Sequence, residues 1–267
     1  MQTTFIGGGV MAEAIISKAL AARLLDANKV CVAEPMSARR AYLEKTYAVS
    51  VSESNVEAIR EAELIVLSVK PQHFTAVASG LQGALRSGQT ALSIIAGLTV
   101  PSITSSLGHD SVIRVMPNTP AQVGQGISVW IATETVPDRT REAAKALLGV
   151  LGLEWYVTDE HYLDMATALS GSGPAYVFAF IESLVEAGVY MGMPRDMATT
   201  LAIQTVLGSA QLAKETGDNP SMLRERVTSP GGTTAEALRE LEIRGFRSTI
   251  LEAVAAAHRK ARELGGQ

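Results

Sequence analysis

A chain of 267 residues exceeds what one typical hydrophobic core supports, so two domains or one large one are expected. At 47% hydrophobic and 19% charged, it can bury a large core and still leave apolar surface for a partner subunit. A formal net charge of −4 argues against nucleic-acid binding, which needs a basic excess. The single Cys31 closes no internal disulfide, and with four His it supports no Cys/His zinc cluster, so no metal is expected. No basic segment precedes the first apolar run, and no stretch of about 20 residues lacks polar groups. Neither a secretory signal nor a membrane span is therefore expected, and the expectation is a soluble, reduced, cytoplasmic protein.

Short apolar runs come first along the chain: Thr3–Ile6, Val30–Ala33, Leu64–Val69, Ala91–Ile95, Val112–Val115 and Ile127–Ile131. They alternate with amphipathic segments such as Met11–Leu25 and Ala38–Lys45. Continuous apolar strands separated by helices predict a parallel sheet covered on both faces, the doubly wound α/β pattern. From about Glu160 onward no strand is expected. Helices are predicted at roughly 161–190, 195–215, 220–227, 233–244 and 246–264. Pro194 and Pro220 stand at or just before first turns, and Gly217 and Gly245 stand where helices stop. The predicted division is a dinucleotide-binding domain over 1–158 and a helical domain over 159–267.

Two of these helices are apolar around much of their girth. Helix 161–190 carries Val177, Phe178, Phe180, Ile181, Leu184 and Val185, and the last helix carries Ile250, Leu251 and Val254 followed by three alanines. A helix apolar all round is a buried one. A domain of about 100 residues can fully bury few of them alone, so dimerisation through this half is expected.

The first run enters Gly7-Gly8-Gly9-Val10-Met11-Ala12, a G-x-G-x-x-A turn that opens a helix. The first Gly permits a tight turn, Gly9 lets a pyrophosphate approach the backbone, and Ala12 allows close helix–sheet packing. The helix N-terminus then offers free N–H groups to the phosphates. Glu34, 25 residues past Gly9, is placed to accept from a ribose 2′-hydroxyl, which favours NADH, but Arg39 and Arg40 could accommodate the 2′-phosphate of NADPH. The two signals conflict.

Ligands of open α/β sheets bind outside the carboxyl ends of the strands. Three such ends are polar and sharply turned: Val69-Lys70-Pro71-Gln72, Ile95-Ala96-Gly97 and Met116-Pro117-Asn118-Thr119-Pro120. Lys70 either holds an anionic substrate or a cofactor amide, or is a surface lysine. Asn118 and Thr119 either face the nicotinamide or form a plain turn. In the helical half, Ala168–Tyr176 places two Gly and a Pro inside an apolar helix, which is costly. It reads as a kink or as a cavity wall. Ser229-Pro230-Gly231-Gly232-Thr233-Thr234 opens helix 233–244, with Thr233 and Glu236 spaced as a capping box. Such a terminus, with hydroxyls nearby, suits a carboxylate.

Gly7–Ala12, Val69–Gln72, Arg114–Ala121, Ala168–Tyr176 and Ser229–Thr234, in this order over essentially the whole chain, together resemble pyrroline-5-carboxylate reductase. The resemblance implies a Rossmann domain followed by a helical dimerisation domain, with the active site shared between subunits. The implied reaction is reduction of 1-pyrroline-5-carboxylate to L-proline by NADPH, with NADH as the alternative donor. It places Ile6, Gly7, Gly8, Gly9, Val10, Met11, Glu34, Asn55, Ser68, Val69, Lys70, Pro71, Ile94, Ile95, Ala96 and Arg226 at cofactor positions, to which the strand-end reading adds Asn118. Glu160, Ser229, Gly231, Gly232, Thr233 and Thr234 fall at substrate positions, and the catalytic expectation rests on Thr234 and Lys70. Two features depart from the family pattern: Val10, where a polar residue is common, and Glu34, where many members have a small or polar one.

Three competing readings are weaker. A β-hydroxyacid dehydrogenase would need a Lys on helix 161–190, which has none. A ketol-acid reductoisomerase would need Mg²⁺-holding carboxylates, for which only Glu182 and Glu186, four apart on one helix, offer themselves. A non-catalytic nucleotide-binding dimer would have no need of a second polar turn.

Overall fold

The computed structural model describes residues 1–266. Eight strands form one sheet: β1 (Thr3–Ile6), β2 (Val30–Ala33), β3 (Ser50–Ser52), β4 (Leu64–Leu67), β5 (Thr90–Ser93), β6 (Val112–Met116), β7 (Gly126–Ala132) and β8 (Gly152–Tyr156). Their order is β3-β2-β1-β4-β5-β6-β7-β8. All neighbouring pairs are parallel except β6 with β7. The chain order reverses between β1 and β4, which is where a doubly wound sheet opens its ligand crevice.

Two-residue alternation along the strands sends side chains to opposite faces. Phe5, Val32, Val66, Leu92 and Val115 pack under α1 (Val10–Ala21), α2 (Ser37–Tyr47) and, further along the chain, α6 (Asp138–Gly149). Ile6, Ile65, Leu67 and Ala91 pack under α3 (Asn55–Ala58), α4 (Pro71–Leu81) and α5 (Val100–Leu107). The predicted two-face coverage is thus present, with two strands beyond the six read from the sequence.

The second half is helical, as expected: α7 (His161–Ala166), α8 (Gly173–Tyr190), α9 (Arg195–Thr216), α10 (Pro220–Arg226), α11 (Thr233–Ile243) and α12 (Phe246–Leu264). A π-turn, Thr167–Gly171, joins α7 to α8. It accounts for Gly171 in this apolar stretch. A Cβ on Gly171 would overlap the Met116 methyl, and the loosened ladder lets Ser170 O accept from Asn118 Nδ2 at 3.2 Å.

By compactness the chain divides into residues 1–172 with 257–267, and residues 173–256. The first unit therefore extends past the sequence boundary of 158/159 and takes back the end of α12. Two contacts account for this. Arg114 of β6, 3% exposed, donates to Glu160 Oε1 (2.6 Å) and to Asp164 Oδ1 (2.8 Å), tying α7 to the sheet. At the other end of the chain, Leu264 packs so closely on Gly97 that a Cβ there would stand 3.0 Å from its own.

The second unit has a thin core. Its buried apolar side chains are Val185, Ala198 and Ala202, where α8 crosses α9. Phe178, Leu201, Leu207, Ile243 and Leu251 are exposed in the single chain.

Removing one partner of a buried ion cluster leaves uncompensated charge. Arg114→Met should cost about 3–5 kcal/mol, read by urea unfolding at fixed protein concentration. A loss below about 1 kcal/mol, the scale of an exposed pair, would show that the cluster holds nothing.

Candidate active site

Gly7 leaves β1 with φ +95°, a conformation that side-chain-bearing residues avoid, and a Cβ on it would meet Ser68 O and Val69 Cγ1, each at 3.0 Å. Ser68 Oγ donates back to Ile6 O (3.0 Å) and Gly7 O (2.8 Å), stitching the end of β4 to the turn. Gly8 lies against Leu43 Cδ1, which a Cβ would approach to 2.7 Å. At Gly9 the crowding ends: a Cβ there would meet nothing within 4 Å. Gly9 is the N-cap of α1, and no side chain caps the helix. The first N–H groups of α1 therefore face an open cradle, which fits a pyrophosphate.

Glu34, at the end of β2, accepts from Gly8 N (2.9 Å) and Met36 N (3.0 Å), so its carboxylate is fixed beside the turn. Arg39 and Arg40 are both engaged by the chain itself. Arg39 donates to Gly8 O at 2.6 Å, pairs with Glu13 and stacks over the Tyr42 ring. Arg40 donates to Glu34 O and Pro35 O and pairs with Glu53. Tyr42 and Tyr47 hydroxyls also donate to Glu13. Burial pulls the Glu13 carboxyl upward, but the hydrogen bonds from Arg39, Tyr47 and Tyr42 outweigh it and hold the group below its ordinary value. Burial, together with the neighbouring carboxylate, pushes Tyr47 up to about 12.

Apart from Arg226, the other cofactor candidates lie at the same edge of the sheet. Val10 is exposed and Met11 is half-buried at the start of α1. Asn55 opens α3 after β3. Exposed Lys70 is the N-cap of α4 with Pro71 at its first position, and Ile94, Ile95 and Ala96 follow β5. Asn118 follows β6, but both ends of its amide are in use: Oδ1 accepts from Ile127 N at 2.9 Å, and Nδ2 reaches Ser170 O. It is a strut between β7 and the π-turn.

Glu160 is likewise engaged. Its Oε1 accepts from Val100 N (2.6 Å) as well as from Arg114, so it holds the start of α5. Arg114 and Asp164 escaped the sequence reading as functional positions. A charged residue inside the apolar run 112–115 was the one available signal.

The Ser229–Thr234 turn, the candidate substrate position, belongs to the second unit. Gly231 has φ +68°, and Gly232 N donates to Ser229 O at 3.0 Å. Gly232, not Thr233, is the N-cap of α11, and no side chain caps it. The predicted Thr233–Glu236 capping box does not form, because Thr233 is already helical and Glu236 turns to Arg239. No side chain takes up the leading N–H groups of α11, and Ser229 and Thr233 are exposed and Thr234 half-buried beside them. Arg226, at the end of α10, pairs with Asp218 at 2.6 Å. Glu186, one of the two carboxylates considered for Mg²⁺, pairs with Arg195, whose hydrogen bond and charge lower its pKa.

The chain is 44% identical over 265 residues to the pyrroline-5-carboxylate reductase of Synechocystis sp., covering 99% of this chain and 98% of that protein. The chain belongs to the pyrroline-5-carboxylate reductase family. Residues 160–264 of this reductase match the family model for pyrroline-5-carboxylate reductase dimerisation, and residues 2–97 match that for NADP oxidoreductase, coenzyme F420-dependent. A solved pyrroline-5-carboxylate reductase from Coxiella burnetii superposes with a TM-score of 0.91 at 36% identity, covering 98% of each chain. The Plasmodium falciparum enzyme, solved with NADP bound, gives 0.90 at 30%, covering 99% of this chain and 98% of that one. The helical segment of the reductase thus carries self-association.

Gly9→Ala separates cradle from scaffold. Its Cβ meets nothing in the chain, so stability should fall by less than about 1 kcal/mol, the scale of a cap change. NADPH affinity, followed by nucleotide fluorescence, should fall about ten-fold or more as the methyl enters the pyrophosphate space. Unchanged affinity would remove Gly9 from the cofactor site.

Proposed function

We propose that the reductase converts 1-pyrroline-5-carboxylate to L-proline with NADPH, and accepts NADH, as a soluble cytoplasmic enzyme. The kinship over the full chain carries this reading, and the uncapped glycine-led helix start in each unit supports it. When bound, the reduced nicotinamide supplies the hydride that adds to C5 of the ring as the C=N bond becomes C–N. The start of α1 receives the pyrophosphate, with Glu34 toward the adenosine ribose and Lys70 at the nicotinamide end. The N–H groups of Thr233 and Thr234, with the Ser229 hydroxyl, hold the substrate carboxylate. Thr234 Oγ hydrogen-bonds the ring nitrogen and orients the protonated imine, the better hydride acceptor. An unactivated hydroxyl is a weak acid, so its role is orientation and electrostatic support. The family resemblance places Glu160 at a substrate position, and in this chain it also holds the start of α5.

We further propose that the functional state is a homodimer or a larger homo-oligomer. One helical run, His161–Tyr190, is long and apolar enough by length and composition to cross a membrane. It lies wholly inside the segment matched by the dimerisation model. An apolar groove of about 660 Å³ beside α7, lined by Trp155, Tyr162, Met165 and Leu169, adds to the surface that a second copy would cover. Phe178→Glu should yield monomers by sedimentation, with wild type remaining in the detergent-free supernatant as a dimer or larger. A monomeric wild type would end this reading.

Loss of reduced-nicotinamide absorbance on mixing with pyrroline-5-carboxylate tests the activity. Thr234→Ala should lower kcat/KM about ten-fold or more, the scale of one hydrogen bond to a charged group. Full activity in that variant would exclude Thr234 from the mechanism.

A further inference from the structure

Two carboxylates, Glu13 and Glu53, pair with the guanidiniums of Arg39 and Arg40 where α2 begins, and Arg40 also donates to the backbone carbonyl of Glu34. A 2′-phosphate is recognised by a cation that can give it two or more donors. Both arginines are already partly committed. Arg40 is held by two carbonyls of its own loop and by Glu53. Arg39 spends Nε on Gly8 O and Nη2 on Glu13, with its flat face on Tyr42.

Glu13 is unusually well fixed for a carboxylate one turn into a surface helix. Besides Arg39 it receives Tyr42 Oη at 2.8 Å and Tyr47 Oη at 2.7 Å. These donors keep it ionised at neutral pH. It stands outside the glycine motif and outside the strand-end position of Glu34, so the usual reading of cofactor preference overlooks it.

We propose that Glu13 is a specificity-determining residue of the dinucleotide site. By pairing with Arg39 it offsets the charge that would receive a 2′-phosphate, and so narrows the margin between NADPH and NADH and lets the site accept NADH. The Glu34 carboxylate, already accepting from two backbone N–H groups, can receive the free 2′-hydroxyl when NADH binds. The inference rests on the dinucleotide reading of the Gly7–Ala12 turn. It does not depend on which imine is reduced.

The test is titration of the intact protein with NADPH and with NADH, followed by nucleotide fluorescence. Glu13→Gln keeps an acceptor for both tyrosine hydroxyls and removes the charge that detains Arg39. The ratio of NADPH to NADH affinity should rise about ten-fold, the scale of a newly made charge-assisted contact. General damage to the fold would lower both affinities and leave the ratio alone. Adding Arg39→Met to Glu13→Gln should return the ratio to the wild-type value. An unmoved ratio in Glu13→Gln, or a gain that survives the loss of Arg39, overturns the proposal. If wild type binds neither nucleotide, the dinucleotide reading falls and takes the proposal with it, an outcome distinct from a ratio that fails to move.

Discussion

β1 can pass into α1 at this angle only where no Cβ stands between Ile6 and Gly9. Gly7 takes a left-handed conformation against Ser68 and Val69, and Gly8 lies under Leu43. This close approach draws three strand ends together. Ser68 bonds the turn from β4, Glu34 bonds it from β2, and the leading N–H groups of α1 stand at the edge between them. The cofactor edge of the sheet is thus a consequence of how little volume the turn occupies.

The same device appears twice. α1 and α11 each begin after glycines, with Gly9 and Gly232 as N-caps and no side chain satisfying the first turn. A Ser, Thr, Asp or Asn at such a position commonly contributes about 1 kcal/mol, and both helices forgo it. By contrast, α5 has a full capping box at Thr99 and Ser102, besides the Glu160 contact.

Much of this was legible in the residues. Apolar runs betrayed the buried strands, and the glycine turn announced the cofactor edge. β3 and β8 were not legible, for physical reasons. β3 is three residues, two of them serine, and β8 is an edge strand largely exposed in the chain, so neither shows a buried pattern. The capping box at Thr233 matched in spacing but failed in backbone, since a residue already inside the helix cannot be its cap. The Glu13 network was invisible because its members are spread from 13 to 47 and meet only once α1 and α2 lie side by side on the sheet. Asn118, a candidate ligand group by its place after β6, also bonds Ile127 N and Ser170 O, contacts that spacing along the chain does not reveal.

The scant interior of residues 173–256 has a kinetic meaning. A segment that buries so little by itself draws its stability from mass action, so its resistance to heat should climb with protomer concentration. A newly made chain passes through an interval in which Phe178, Leu207 and Leu251 have nothing to cover them. The last stage of its maturation is an encounter between two molecules, slow when copies are scarce, and in that interval the chain is a client for chaperones and a target for proteases.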